Sequence, residues 1–193
     1  MQEFLKNHRH KLFVLIACAA FFSTLYYSAR AATPITKEMA TAYFKNCVLK
    51  DGGIISASSQ KKLCACTSAR MVDAFTLEDM RDMGGNDQKA RDAINKMIVN
   101  VYAPCIKAPA QDYYRSVCMN NPDTKKLTSN TEPLCSCMAY EVASFLEKNS
   151  AALFQDILAR NPNVTDPMQA LTSDPQFENF AQKKLLACYT NKK

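Results

Sequence analysis

Two cysteines stand one residue apart twice in this chain, Cys64 and Cys66 within "KKLCACTSARM" and Cys135 and Cys137 within "LCSCM". Reduced, such thiolates are soft ligands suited to copper(I) or zinc. A redox couple that closes on itself usually takes the form Cys-x-x-Cys at a helix start, and the chain contains none. On a helix, residues i and i+2 lie about 200° apart around the axis. The members of a Cys-x-Cys therefore look to opposite sides, and each must find a different partner. The arrangement reads as structural disulfides, so no residue is assigned as catalytic, cofactor-binding or metal-ligating.

The spacing extends the pattern. Cys47, Cys64, Cys66 and Cys105 form one set with gaps of 17, 2 and 39, and Cys118, Cys135, Cys137 and Cys188 a second with gaps of 17, 2 and 51. Similar residues flank both: "AYFKNC" and "YYRSVC" lead to the first cysteine, and "KKLCACTSARMVDAF" and "EPLCSCMAYEVASFL" surround the pair. This implies an internal duplication, with one four-cysteine helical unit over 35–106 and another over 108–190. The extra length of the second falls in "NPNVTDPMQALTSDP", a proline-rich surface insertion near 161–175. Eight cysteines permit 105 pairings; confinement within each set leaves nine, and excluding bonds inside each Cys-x-Cys leaves four. Among these, Cys47 with Cys66 and Cys64 with Cys105 is preferred, because Cys105 falls just beyond its helix and should meet the lower cysteine.

Elements must place these residues. Met39, Tyr43 and Cys47 with Ala40, Phe44 and Val48 give a helical face after the cap Thr36, stopped by Asp51-Gly52-Gly53. A second helix runs from about Gln60 to Ala74. Thr76-Leu77-Glu78-Asp79 resembles a capping box opening a short helix closed by Gly84-Gly85. A longer helix follows from about Asp87 to Ala103, ended by Pro104. In the second set the helices run from about Pro109 to Asn120, Glu132 to Lys148, a short one capped by Asn149-Ser150 to about Arg160, and Pro175 to Tyr189. No stretch alternates as a strand would. The fold class is all-α: two tandem disulfide-stapled units of about three main helices each, following an N-terminal signal or anchor helix. Each unit is small enough for a single core to be marginal, and a disulfide closing a loop of about 20 residues contributes on the order of 3 kcal/mol.

The first residues carry a basic start (Lys6, Arg9, Lys11), an uncharged stretch from Leu12 to Ala29 and a small-x-small site at Ala29-Arg30-Ala31. Residues 1–31 thus read as an export signal cleaved after Ala31. As a helix, 12–29 would span about 27 Å, enough for an uncleaved anchor to barely cross a bilayer. Leu15-Ile16-Ala17-Cys18 resembles a lipoprotein cleavage box, but "AAFFSTLYY" follows where a polar tether would be expected. The expected location is the periplasm, with secretion or an inner-membrane anchor as alternatives, and an oxidising compartment suits the cysteines.

Removing 1–31 takes four of the 24 Lys and Arg and one of the 18 acids, leaving 20 against 17, or +3. The remaining basic residues cluster only in pairs such as Lys61-Lys62 and Lys183-Lys184, too short a stripe for a phosphate backbone. Both histidines, His8 and His10, are lost with the same segment, which excludes Ser-His and Cys-His catalysis and imidazole ligands from the mature chain. Ser59-Gln60-Lys61-Lys62 matches Ser-x-x-Lys without the companion motifs of acyl-transfer enzymes. The acids Glu78, Asp79 and Asp82 suit the first turn of a helix better than a cation site. The paired glycines lack nucleotide-loop spacing, and Asn163-Val164-Thr165 is a sequon with meaning only in a eukaryotic secretory path.

What remains is an exported, non-enzymatic scaffold or protein-interaction module of the cell envelope. It has no cofactor, no nucleic-acid partner, and membrane contact only through 12–29 if these stay attached. The first alternative is a carrier of a small apolar ligand or lipid, since the aromatic and methionine positions could line a pocket between tied helices. Saposins and plant lipid-transfer proteins build pockets that way, but neither cysteine order matches this one, so the likeness is one of architecture. A thiol redox protein or metallochaperone is the remaining alternative.

Overall fold

The computed structural model describes residues 32–50 and 53–190. The signal or anchor segment 1–31, with Cys18, lies outside the described residues, as do Asp51 and Gly52 of the expected helix stop. The described residues from Thr33 onward form one compact unit.

The unit is all-α. Helix α1 (Lys37–Val48) starts where the Thr36 hydroxyl accepts the Met39 N–H. Helix α2 (Ala57–Ala74) starts earlier than the apolar periodicity implies, because Ser56 caps it through the Ser59 N–H. The turn before it uses Gly53 at φ 60°, a backbone region that glycine enters without penalty. Helix α3 (Leu77–Asp82) opens on a full capping box in which Thr76 and Asp79 satisfy each other's backbone N–H groups. Helix α4 (Gln88–Lys96), capped by Asp87, continues through a π turn at Met97–Tyr102 and a 3-10 turn at Ala103–Cys105. Pro104 thus does not stop the chain but sits inside the tight turn. A proline there removes one N–H and crowds the preceding carbonyls, and the change of helical pitch absorbs both effects.

The second half is built on one long helix. Helices α5 (Lys107–Asn120) and α6 (Pro122–Leu127) meet at Asn121, whose side chain accepts the Asp123 N–H. Helix α7 (Thr131–Arg160) then runs 30 residues without a break, about 45 Å at the usual rise. Asn149 and Ser150, expected to end one helix and cap another, do neither. The Asn149 amide donates to the Phe145 carbonyl, and the Ser150 hydroxyl, 3% exposed, donates to the Ala103 carbonyl at 2.7 Å. Both side chains are satisfied within a continuous helix, so nothing calls for an interruption. Helices α8 (Pro167–Thr172) and α9 (Pro175–Thr190) complete the chain.

The main core surrounds α7, with Val142, Leu146 and Phe154 fully buried among side chains of α5 and α9. Segment 161–175, expected at the surface, contributes Val164 and Leu171 to this core. Their isolation in a polar, proline-rich run conceals them from any periodicity. Buried Asp174 in the same segment caps α9 through the Phe177 N–H and pairs with Arg160. A smaller core joins Ile35, Met71, Phe75 and Val101. No strand forms among the described residues; the single Pro34–Thr76 bridge anchors the entering chain.

Candidate functional site

All eight cysteines described are bonded, and each Cys-x-Cys clamps its helix to two neighbours. The bonds are Cys47–Cys64, Cys66–Cys105, Cys118–Cys135 and Cys137–Cys188, with Cα separations from 5.5 to 6.0 Å. The preferred pairing of Cys47 with Cys66 and of Cys64 with Cys105 is therefore corrected. The face of the middle helix decides, not the level along it. Gln60 and Cys64, one turn apart on α2, both look toward α1, where the Gln60 amide donates to the Cys47 carbonyl. Cys66 points to the other side and meets Cys105, which the 3-10 turn carries on from α4 rather than leaving beyond a helix end.

The same geometry spaces the second half. Lys107 pairs with Glu147 and Cys118 with Cys135, so α5 runs antiparallel to α7. Lys184 pairs with Glu141 and Cys188 with Cys137, so α9 does too. Helices α5 and α9 are thus parallel riders on one long support. They meet where the Tyr114 and Phe177 rings stand edge to face at 5.9 Å. Beside that contact the two helices leave a half-open cavity of about 220 Å³, with Met138 of α7 among its walls.

Val117, Ala181 and Leu185 give the cavity an apolar wall, and Asn121, Thr172, Glu178 and Gln182 bring polar groups to it. Two further wall residues are polar and buried: Thr124 of α6, 2% exposed, and Tyr114 of α5, 7% exposed. Neither hydroxyl has a hydrogen-bond partner among the described residues, and both oxygens remain open to solvent through the cavity mouth. Burial, with Tyr113 and the Glu178 carboxylate nearby, pushes the Tyr114 phenol above its ordinary range, which keeps it a neutral donor. The first half fills the corresponding space: Met39 and Tyr43 of α1 pack with Met97 against Met71 and Val101. A cavity is therefore not an automatic product of the clamp.

The acids singled out in the sequence have structural partners or none. Glu78 accepts from the Thr33 N–H and hydroxyl at 3.0 and 2.9 Å, and its own backbone N–H and Thr33 hold its carboxyl below the usual range. Asp79 binds Thr76 and Lys96; burial works to raise its carboxyl, but these bonds outweigh it and the net shift is downward. Asp82 closes α3 without joining them. No group of three or more metal-binding side chains occurs among the described residues. Ser59 lies buried within α2, its N–H held by the Ser56 cap. Sequence reasoning missed the Tyr114–Thr124 pair. Tyr114 reads as an ordinary core position, and α6, which carries Thr124, has no apolar periodicity to reveal it.

A second concave feature is an open trough of about 570 Å³ between α1 and α2, lined by Ala40 and Phe44 on one side and Ala65, Ala69 and Val72 on the other. Lys37 and Asp73 add one charge of each sign. No helix among the described residues is long and apolar enough to cross a membrane. Comparison of the chain with protein-family models, curated proteins and solved structures finds no match.

Proposed function

We propose that the protein is an exported, non-enzymatic interaction module of the periplasm, in which two clamped helical units present a rigid surface to a protein partner. The carrying observation is the α1–α2 trough: a strip of small side chains and Phe44, apolar but for Thr41 and Ser68, between two helices joined by the Cys47–Cys64 bond, with a charge of each sign among its walls. Four disulfides suit an oxidising compartment, and a strip of this kind matches one face of an apolar helix from a partner. The acids best placed for chemistry are instead tied to caps and ion pairs. A photo-crosslinking residue at Ala69 should give a discrete protein adduct in envelope extracts, and one at exposed Gln155 none. Identical adducts from both positions, or none from Ala69, would refute the reading.

A carrier of a small ligand is the second reading. It is favoured by the α5–α9 cavity, where the Tyr114 and Thr124 hydroxyls, unbonded among the described residues, stand beside the apolar wall of Val117, Met138 and Leu185.

A further inference from the structure

Resting on the carrier reading, we infer that the α5–α9 cavity is a binding site for a small arylalkyl ammonium, its ring among Val117, Met138 and Leu185 and its charged nitrogen toward Glu178 and the tyrosine rings.

Size comes first. A dry apolar cavity of about 150 Å³ accepts benzene, so 220 Å³ holds one ring and a short chain but not a two-chain lipid. Polarity comes next. Two wall residues, Tyr114 and Thr124, carry hydroxyls that bond to no group among the described residues and stay open to solvent, so each is free to bond a polar ligand atom. A ligand with a hydrogen-bonding group would satisfy them, whereas a pure hydrocarbon would not. Charge then selects the sign. Among the described residues Glu178 is the one acidic wall residue, and no Lys or Arg lines the cavity. An anionic ligand would meet a carboxylate with nothing to compensate it, while a cation gains that carboxylate. The same cation gains the aromatic faces of Tyr113 and Tyr114, whose rings stand edge to face at 5.4 Å. The clamp supplies the rigidity: Cys118–Cys135 and Cys137–Cys188 fix both walls to α7, so little ordering is required when the ligand binds.

The test uses the oxidised full chain and three probes that differ only in the head: 2-phenylethylamine, 2-phenylethanol and phenylacetate. The chain has no tryptophan, so its fluorescence comes from eight tyrosines, two of which line the cavity, and the Met138 methyl resonance locates the site. The amine should bind saturably and about tenfold more tightly than phenylacetate, a difference of the size expected for one partly desolvated cation site. Glu178→Gln should remove most of that preference and leave 2-phenylethanol unaffected. Val117→Phe, at a partly exposed wall position, should abolish binding of all three while the four disulfides stay intact. Saturable binding of the three probes with equal affinity would overturn the ammonium assignment and leave the carrier reading standing. No saturable binding of any probe would overturn both.

Discussion

Asp79 shows how a residue that suggests chemistry serves stability instead. Its carboxylate closes the α3 capping box and takes the Lys96 ammonium, which together hold its pKa below the unfolded value of about 3.9 despite partial burial. A folded pKa lower than the unfolded one means that this stability is present above about pH 4 and lost as the pH falls through the folded value. Asp79→Asn should therefore cost about 1 to 2 kcal/mol at pH 7, and denaturant titrations should show the gap from the parent closing as the pH falls below about 4 and through the lowered folded pKa. A constant gap across that range would point to packing rather than charge. Tyr102 and Tyr114 behave in the opposite sense. Burial raises both phenols, so the stability they supply is present below about pH 10 and fades at higher pH. Asn95 is a different case: its Oδ1 is buried without a partner among the described residues. Asn95→Leu removes that acceptor from the last turn of α4 and improves helix propensity, so stability should rise by about 1 kcal/mol. A loss of that size in thermal unfolding would show that the carbonyl has a partner after all.

At the scale of elements, the legible features were those written in short-range chemistry. Thr36 and the Thr76–Asp79 box announced two helix starts because capping depends on residues three apart. The Cys-x-Cys spacing announced a clamp because i and i+2 diverge on a helix. Which partner each cysteine takes was not legible, since it depends on the face α2 turns to α1, fixed by contacts such as Gln60 on the Cys47 carbonyl. Continuity of α7 was hidden for the same kind of reason. Asn149 and Ser150 look like breakers until Phe145 and Ala103 supply their acceptors. The α5–α9 cavity depends on how far apart two helices ride on a third, which no local pattern encodes. The clamp itself carries a prediction. Replacing both Cys137 and Cys188 by Ser frees α9 from α7 and should cost about 2 to 5 kcal/mol. The α5–α9 cavity should lose its shape with it, because that bond is the covalent tie of the wall, and the Lys184–Glu141 pair and the Phe145, Phe177 and Phe180 ring cluster hold it more weakly. Probe binding should weaken more in this variant than in Cys66→Ser with Cys105→Ser, which loosens the other half. Equal weakening in both would mean that the cavity is not set by its own clamp.

For the whole molecule, the issue is whether two halves with separate disulfides unfold separately. No bond among the four crosses from one cysteine set to the other, so covalent structure alone would allow independence. Non-covalent ties argue otherwise. Asp112 of α5 accepts the Ser56 N–H at the head of α2 at 2.9 Å, and Ser150 of α7 donates to Ala103 at the end of the first half. Ile98 joins the core around α7, and the Tyr102 ring stands edge to face with Phe154 at 6.3 Å. Those contacts bury apolar surface on both sides at once, so opening one half exposes part of the other. Each half alone is near the size at which a core becomes marginal, which strengthens the coupling: neither has stability to spare once the shared surface is gone. Phe154→Ala places a cavity at that shared surface and should cost about 3 to 5 kcal/mol. Native-state hydrogen exchange should show the loss in α2 as well as in α7, since a cooperative unit opens together. If α2 amides keep their protection while those of α7 exchange faster, the halves open independently and the ties between them are contacts without coupling.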